Sequence, residues 1–318
     1  MGRSELSQPH ILMIGPYPNW DMEELEKNYA VHRYWEAADR ASFVKDLAPA
    51  IRAIATRGEL GANAGMIAAL PNLEIVSCYG VGTDAIDLGA ARARGIKVTN
   101  TPDVLTEDVA DIGIALMLAA ARRIPQGNRH VRDGAWKKGN MALVTRFFGK
   151  RLGIIGMGRV GAAVAKRAAA FDMEISYYDM RQRHDLPYRF ATSITDLARQ
   201  CDFLIATVAG GASTARMIDA KIFAALGPRG FFVNIARGSV VDEEALIAAL
   251  QSGGIAGAGL DVFMNEPNID PRFLALDNAV LQPHHASGTI ETRKAMGQLV
   301  RDNLAAHFAG QPLLTEVK

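Results

Sequence analysis

"GIIGMGRVGAAVAKRAAAF", residues 153–171, decides the fold. The apolar, β-branched run "RLGIIG" (151–156) leads straight into Gly156-x-Gly158-x-x-Gly161, and these glycines open a stretch with the spacing of an amphipathic helix. Glycines at that spacing permit a tight turn, close approach of the backbone to a pyrophosphate, and close helix-to-strand packing. The start of the helix adds free N–H groups and the positive end of its dipole. By itself the spacing is a weak signal, since an ordinary structural turn also explains it. Here strand, glycines and helix come in the required order, and a second run, "MEISYYD" (173–179), ends in Asp179. That is about where a carboxylate that binds ribose hydroxyls belongs. We therefore read a dinucleotide-binding unit with Asp179 on the ribose. A carboxylate there repels a 2′-phosphate and favours NAD. Arg181 and Arg183 follow closely: they fit solvated loop charges, or side chains turned inward to meet the 2′-phosphate of NADP.

Outward from this motif, apolar runs alternate with helical patterns, as in a parallel α/β protein. Downstream lie "DFLIATV" (202–208), "FFVNIA" (231–236), "AGLDVF" (258–263) and "AVLQPH" (279–284), which bring the unit to six candidate strands. The stretch "VDEEALIAALQSGG" (241–254) reads as a helix that Asp242 caps and Gly253 or Gly254 ends. Upstream, "HILMIG" (10–15), "IRAIAT" (51–56), "LEIVSCYG" (73–80) and "IKVTNT" (96–101) read as strands of another unit. The tail "TIETRKAMGQLVRDNLAAHFAG" (289–310) has helical spacing and is expected to return to that first unit. The expected division is a discontinuous substrate domain, 1–98 and 285–318, facing a dinucleotide-binding domain, 99–284, across a cleft.

Composition narrows the classes of function. The 318 residues are 49% hydrophobic and 22% charged, which suits a globular protein with a large core. Lys and Arg number 35 against 34 acids, so no overall field draws nucleic acid or an anionic membrane. The apolar run "IGIALMLAAA" (112–121) is too short to span a bilayer and reads as a buried helix. "MGRSELSQPH" lacks the apolar region of a signal peptide, and Leu6 departs from the myristoylation pattern. Cys78 and Cys201, without metal-ligand spacing, point to a reducing compartment and no metal site. A cytoplasmic protein is the expectation.

Three short stretches should end together at the carboxyl ends of the last strands, where open α/β sheets bind ligands. "VNIARGSVVDE" (233–243) places Arg237 there, "GLDVFMNEP" (259–267) places Glu266, and "LQPHHASGT" (281–289) places two adjacent histidines. A histidine suits proton transfer, an acid can orient the histidine and favour imidazolium, and the forked guanidinium of an arginine suits a carboxylate.

With "GVGTDAIDL" (80–88) and "VTNTPDVLTEDVADIGIALMLAAARR" (98–123), these motifs resemble the D-isomer-specific 2-hydroxyacid dehydrogenases over nearly the whole chain. The likeness is greatest to glyoxylate/hydroxypyruvate and hydroxyphenylpyruvate reductases. The resemblance implies an α/β architecture with a doubly wound, parallel-sheet (Rossmann) nucleotide domain and a discontinuous flavodoxin-like substrate domain. It assigns catalysis to Arg237, Glu266 and His284, because His284 directly follows Pro283 as in the family. His285 stands where the family has an apolar residue and is expected to be structural or peripheral. Substrate binding is carried over to Val81, Gly82, Arg237 and Trp136. The cofactor set is Thr106, Gly156, Met157, Gly158, Arg159, Val160, Gly161, Asp179, Arg181, Val208, Ile235, Ala236, Asp261, His284 and Ser287. Some of these have plainer readings: the 79–87 turn lets Asp84 and Asp87 cap a helix, Thr106 serves as an N-cap, and Trp136 serves packing. One departure is "VAGGAST" (208–214), with Ala209 where the family has proline. The resemblance also implies a homodimer, a small-molecule 2-oxo acid substrate, and no nucleic-acid partner. Bulkier aromatic 2-oxo acids are the alternative substrates. A phosphoglycerate dehydrogenase and a nucleotide-sensing module like those of related transcriptional corepressors are more remote readings.

Overall fold

A computed structural model describes residues 8–318, so residues 1–7, and with them most of the N-terminal stretch read for targeting signals, lie outside the described part. The chain packs as two compact units, Met1–Leu105 with Thr289–Lys318, and Thr106–Gly288. Among the described residues, no helix is long and apolar enough to cross a membrane.

The first unit is built on five parallel strands: β1 (His10–Met13), β2 (Ala30–Arg33), β3 (Ile51–Arg57), β4 (Ile75–Tyr79) and β5 (Lys97–Thr99). They are ordered β2-β1-β3-β4-β5, the doubly wound order of flavodoxin-like folds. Ile11, Leu12, Met13, Ile54 and Val76 are fully buried, because helices cover both faces of a parallel sheet. The helix Ile290–Phe308 begins at Thr289, whose side chain accepts the N–H of Thr292, and it buries Met296, Val300 and Leu304 within this unit. The chain then runs along the exposed edge at β5, where the N–H of Val317 donates to the carbonyl of Val98 at 2.8 Å. Covering an edge strand in this way removes a pairing template.

The second unit is built on seven parallel strands: β6 (Arg151–Ile155), β7 (Glu174–Tyr178), β8 (Arg189–Phe190), β9 (Phe203–Ala206), β10 (Phe231–Asn234), β11 (Gly257–Leu260) and β12 (Ala279–Leu281). Their order, β12-β11-β10-β9-β6-β7-β8, reverses between β6 and β9, as in Rossmann folds. The helix Thr106–Arg122 carries the long apolar run and buries Val109, Ile114, Leu116 and Met117. It lies close on the sheet because Gly113 bears no side chain: a Cβ there would meet Ile235 Cδ1 at 2.9 Å. The helix Glu243–Gln251 is capped by Asp242, which accepts the N–H of Ala245, and Gly253 follows it at φ +70°.

Two strands, β2 and β8, do not stand out in the sequence. "AVHR" lacks an apolar run and β8 has two residues; both are sheet edges, where one side of the strand needs no partner. The unit boundaries also differ from the expected 98/99 and 284/285. Residues after β5 stay with the first unit because the N–H of Thr101 donates to Gly80 and the Thr315 hydroxyl to Asn100. His285 and Ala286 stay with the second because their N–H groups bind the carboxylate of Asp261.

The C-terminal segment depends on Asn303, a fully buried polar side chain on the tail helix. Its Oδ1 accepts the N–H groups of Leu314 and Thr315 at 3.0 and 3.2 Å, and its Nδ2 donates to Leu299 and Thr315. Asn303→Ala leaves these part-buried groups without their partner, so urea denaturation should show a loss of about 1–3 kcal/mol. Hydrogen exchange should accelerate first over residues 311–318.

Candidate active site

At the switch point, the end of β6 and the end of β9 are nearly in contact. A Cβ on Gly156, which has φ +95°, would meet Val208 Cγ1 at 2.7 Å, and one on Gly161 would meet the Gly156 carbonyl oxygen at 2.1 Å. A Cβ on Gly158 would meet nothing within 4 Å. The first and third glycines are thus required by packing, whereas the second has open space where a Cβ would be. Gly158 is also the N-cap of the helix Arg159–Ala169, and no side chain caps it. That helix start therefore offers N–H groups to an anion. Asp179, just past β7, accepts the N–H of Met157 at 2.7 Å and that of Met180 at 2.7 Å, so its carboxylate borders the glycine loop. These features fit a nicotinamide dinucleotide, with pyrophosphate over Gly156–Gly161 and a ribose at Asp179. Where the chain has Ala209 instead of proline, the Thr214 hydroxyl closes the loop by donating to the Ala209 carbonyl at 2.8 Å.

Three strands farther along, β10, β11 and β12 end side by side. The buried side chain of Asn234 shapes the turn after β10: its Oδ1 accepts the N–H of Ala236 and its Nδ2 donates to the carbonyl of Arg237. Arg237 is half-buried, and its guanidinium donates to the Ala236 carbonyl at 2.7 Å. Gly238 admits the next loop, since a Cβ there would lie 2.0 Å from the carbonyl carbon of Phe263. Glu266 belongs to that loop and is anchored by the N–H of Phe263 on Oε1 at 2.7 Å. Its Oε2 accepts from Nδ1 of His284 at 2.5 Å.

His284 itself is held in the left-handed region, φ +50°, which costs energy for a residue with a Cβ. Asp261 at the end of β11 maintains it. The carbonyl of Asp261 accepts the His284 N–H at 2.7 Å, and its carboxylate accepts those of His285 and Ala286 at 2.8 and 3.1 Å. Burial raises the pKa of Asp261 against the lowering effect of those two N–H groups and of His284. For Glu266 the balance goes the other way. Burial pushes its pKa up, but the His284 hydrogen bond and charge, the Phe263 N–H and the Arg237 charge together hold it below the usual carboxylate value. Glu266 is therefore an ionised acceptor that fixes the imidazole with Nδ1 inward. Among the described residues, Nε2 of His284 has no protein partner, and the side chain is 35% exposed. The arrangement presents one ring nitrogen to a ligand beside an arginine.

A model of the D-isomer-specific 2-hydroxyacid dehydrogenase NAD-binding domain matches residues 114–286. The chain is 47% identical to hydroxyphenylpyruvate reductase of Plectranthus scutellarioides, over 96% of this chain and 98% of that one. It superimposes with a TM-score of 0.92 and 56% identity on a 2-hydroxyacid dehydrogenase from Ketogulonicigenium vulgare Y25, covering 98% of each chain. The TM-score is also 0.92, at 43% identity, to the NADPH-dependent glyoxylate/hydroxypyruvate reductase of Sinorhizobium meliloti in complex with NADP and malonate, covering 98% of this chain and 97% of that one. The chain belongs to the D-isomer-specific 2-hydroxyacid dehydrogenases. It is accordingly an oxidoreductase that uses a nicotinamide cofactor on 2-oxo or 2-hydroxy acids.

Within this dehydrogenase the expected residues fall as follows. Arg237, Glu266 and His284 share the carboxyl ends of β10–β12, with Ile235 and Ala236 buried beneath Arg237 and Ser287 in the turn after His284. Met157, Arg159 and Val160 lie in and after the glycine loop, Arg181 is exposed past β7, and Thr106 opens its helix. His285 lies outward: a Cβ on Gly288 would fall 2.2 Å from its Nε2, so the ring covers that glycine. Trp136 is 62% exposed and donates to Asn140 at 3.2 Å. In the first unit, Asp87 caps the helix Leu88–Ala93, and the turn before it carries Val81 and Gly82. The carbonyl of Val81 accepts from Asn100 and that of Gly82 from the Cys78 thiol. Among the described residues, the N–H groups of Val81 and Gly82 have no acceptor in the protein. Sequence reading missed Asn234, whose only signal is a polar residue inside an apolar strand, and the part that Asp261 plays in holding the His284 turn.

The close approach at Gly238 yields a test. Gly238→Ala forces the Phe263 backbone away and carries Glu266 with it. It should lower kcat by about tenfold or more while changing nucleotide affinity little, because catalysis is sensitive to displacements of about 1 Å. Steady-state kinetics with a calorimetric measurement of cofactor Kd separates the two effects.

Proposed function

We propose that this dehydrogenase reduces a small 2-oxo acid of the glyoxylate or hydroxypyruvate type to the D-2-hydroxy acid, with His284 as general acid. The observation that carries the reading is the hydrogen bond from His284 Nδ1 to the ionised Glu266, which leaves Nε2 to hold the proton at the substrate oxygen. Arg237 holds the substrate carboxylate and polarises its carbonyl through its forked donors. Val81 and Gly82 are further substrate-binding candidates, since among the described residues their N–H groups have no acceptor. When bound, the nicotinamide supplies the hydride. Asp179 takes the ribose hydroxyls and favours NAD, while Gly156–Gly161 and the helix start after them take the pyrophosphate. NADP is the second reading for the cofactor, favoured by the NADPH-dependent S. meliloti relative. An aromatic 2-oxo acid is the second reading for the substrate, favoured by the hydroxyphenylpyruvate reductase relative. A homodimer is supported by exposed apolar side chains at Ile124, Val131, Trp136, Leu143 and Phe148, which a partner would cover. The two buried, free cysteines support a reducing, cytoplasmic location.

The purified protein should oxidise NADH faster than NADPH, and act on glyoxylate or hydroxypyruvate in preference to 4-hydroxyphenylpyruvate. Preference for the aromatic acid overturns the substrate assignment, and nucleotide binding without turnover on any acceptor overturns the reaction. His284→Ala should lower kcat by about 10²–10⁴-fold with nucleotide Kd unchanged, whereas His285→Ala should stay close to wild type. The opposite pattern would reverse the roles of the two histidines. Glu266→Gln should lower kcat by roughly tenfold or more with nucleotide Kd unchanged, since the imidazole loses the carboxylate that orients it. An unchanged kcat is evidence against that role.

A further inference from the structure

The loop after β7 is more ordered than solvated arginines require. The N–H of Arg183 donates to the hydroxyl of the buried Tyr177 at 2.7 Å, and that hydroxyl donates to the Arg183 carbonyl at 3.2 Å. This fixes the backbone of Arg183 against β7. The side chain is fixed as well. Its Nη1 donates to the carbonyl of Met157 at 3.2 Å, the middle residue of the first glycine pair, whose N–H is the one bound by Asp179. Asp179 and Arg183 therefore grip the two ends of the same residue on the rim of the ribose site. A guanidinium there is positioned to meet a 2′-phosphate.

Its forked face, however, is taken. Arg183 Nε and Nη2 donate to Oδ1 and Oδ2 of Asp185 at 2.7 and 2.5 Å, the two-pronged geometry that a phosphate would use. The Arg183 hydrogen bonds hold the Asp185 carboxyl down at about 2, so Asp185 stays ionised beside the arginine. Both side chains are substantially exposed, 43% for Arg183 and 61% for Asp185, so the pair is weak enough for competition by an anion to be measurable.

We propose that Asp185 is a specificity-determining residue: by occupying the forked face of Arg183 it withholds that guanidinium from a 2′-phosphate and favours the nucleotide with a free 2′-hydroxyl. The proposal rests on the reading of Asp179 as the ribose-binding carboxylate. Asp185 acts through Arg183 and is a positioning residue, so its signature is a shift in the ratio of two affinities.

The experiment is calorimetric titration of the full chain with NADH and with NADPH, which requires no turnover. Asp185→Asn should tighten NADPH by about three- to tenfold while leaving the NADH Kd within about twofold. In the double variant Asp185→Asn/Arg183→Gln the gain should disappear. The proposal is overturned by an unchanged NADPH Kd in Asp185→Asn, by equal weakening of both nucleotides, or by a gain that survives in the double variant. The last result would mean that a lost negative charge, and not a released arginine, was responsible. Asp179→Ala in the same titration tests the underlying reading separately. If that variant leaves the NADH-to-NADPH ratio unchanged, the ribose assignment fails whatever Asp185 does.

Discussion

At the end of β11, the buried carboxylate of Asp261 accepts the N–H groups of His285 and Ala286, while its carbonyl takes the N–H of His284. A carboxylate taken out of water is costly unless it is hydrogen-bonded, so the turn after β12 has one favourable arrangement around it. That arrangement places His284 at φ +50°, a backbone state uncommon for a residue with a Cβ. From there Nδ1 reaches Glu266. The orientation of the imidazole is thus imposed by backbone hydrogen bonds two strands from Arg237.

Glycines perform the complementary task of bringing loops close. Gly238 lets the Phe263 backbone press onto the turn after β10, which brings the Glu266 loop beside the Arg237 turn. Gly161 does the same for the helix Arg159–Ala169 against the β6 loop, with the Gly156 carbonyl where a Cβ would be. In both places the absent side chain acts by removing an obstacle, and the polar groups that remain are aimed by neighbouring backbone. Electrostatics then sets the working form: Glu266 stays ionised because His284, the Phe263 N–H and Arg237 together outweigh the effect of its burial.

The sheet orders explain why such distant segments cooperate. In the second unit the order reverses between β6 and β9, so the glycine loop and the loop at Val208 flank a crevice without a strand above it. The same parallel sheet delivers Arg237, Glu266 and His284 from three successive strand ends. The charged loop after β7 lies on the other side of the switch, where Arg183 bridges to Met157. The loop after β7 and the ends of β10–β12 are in this way separated along one sheet edge.

Much of this was legible in the sequence because the determinants are local. Apolar runs buried on both faces mark the inner strands, Asp242 and Thr289 mark helix starts, and Gly156, Gly158 and Gly161 announce a loop whose three constraints occur within six residues. The family motifs around Arg237, Glu266 and His284 identified the family for the same reason. What the tertiary structure alone decided involves partners far apart in the chain or carrying no pattern. The edge strands β2 and β8 are too short to show periodicity. The Asn303 clasp, the His284–Asp261 turn and the Gly238–Phe263 contact depend on close approaches that spacing does not encode. Arg183 and Asp185 are neighbours in sequence, yet their meaning comes from Met157, twenty-six positions away and brought beside them by the pairing of β6 with β7. A sequence specifies which groups are available; the free energy of packing them together determines which groups meet.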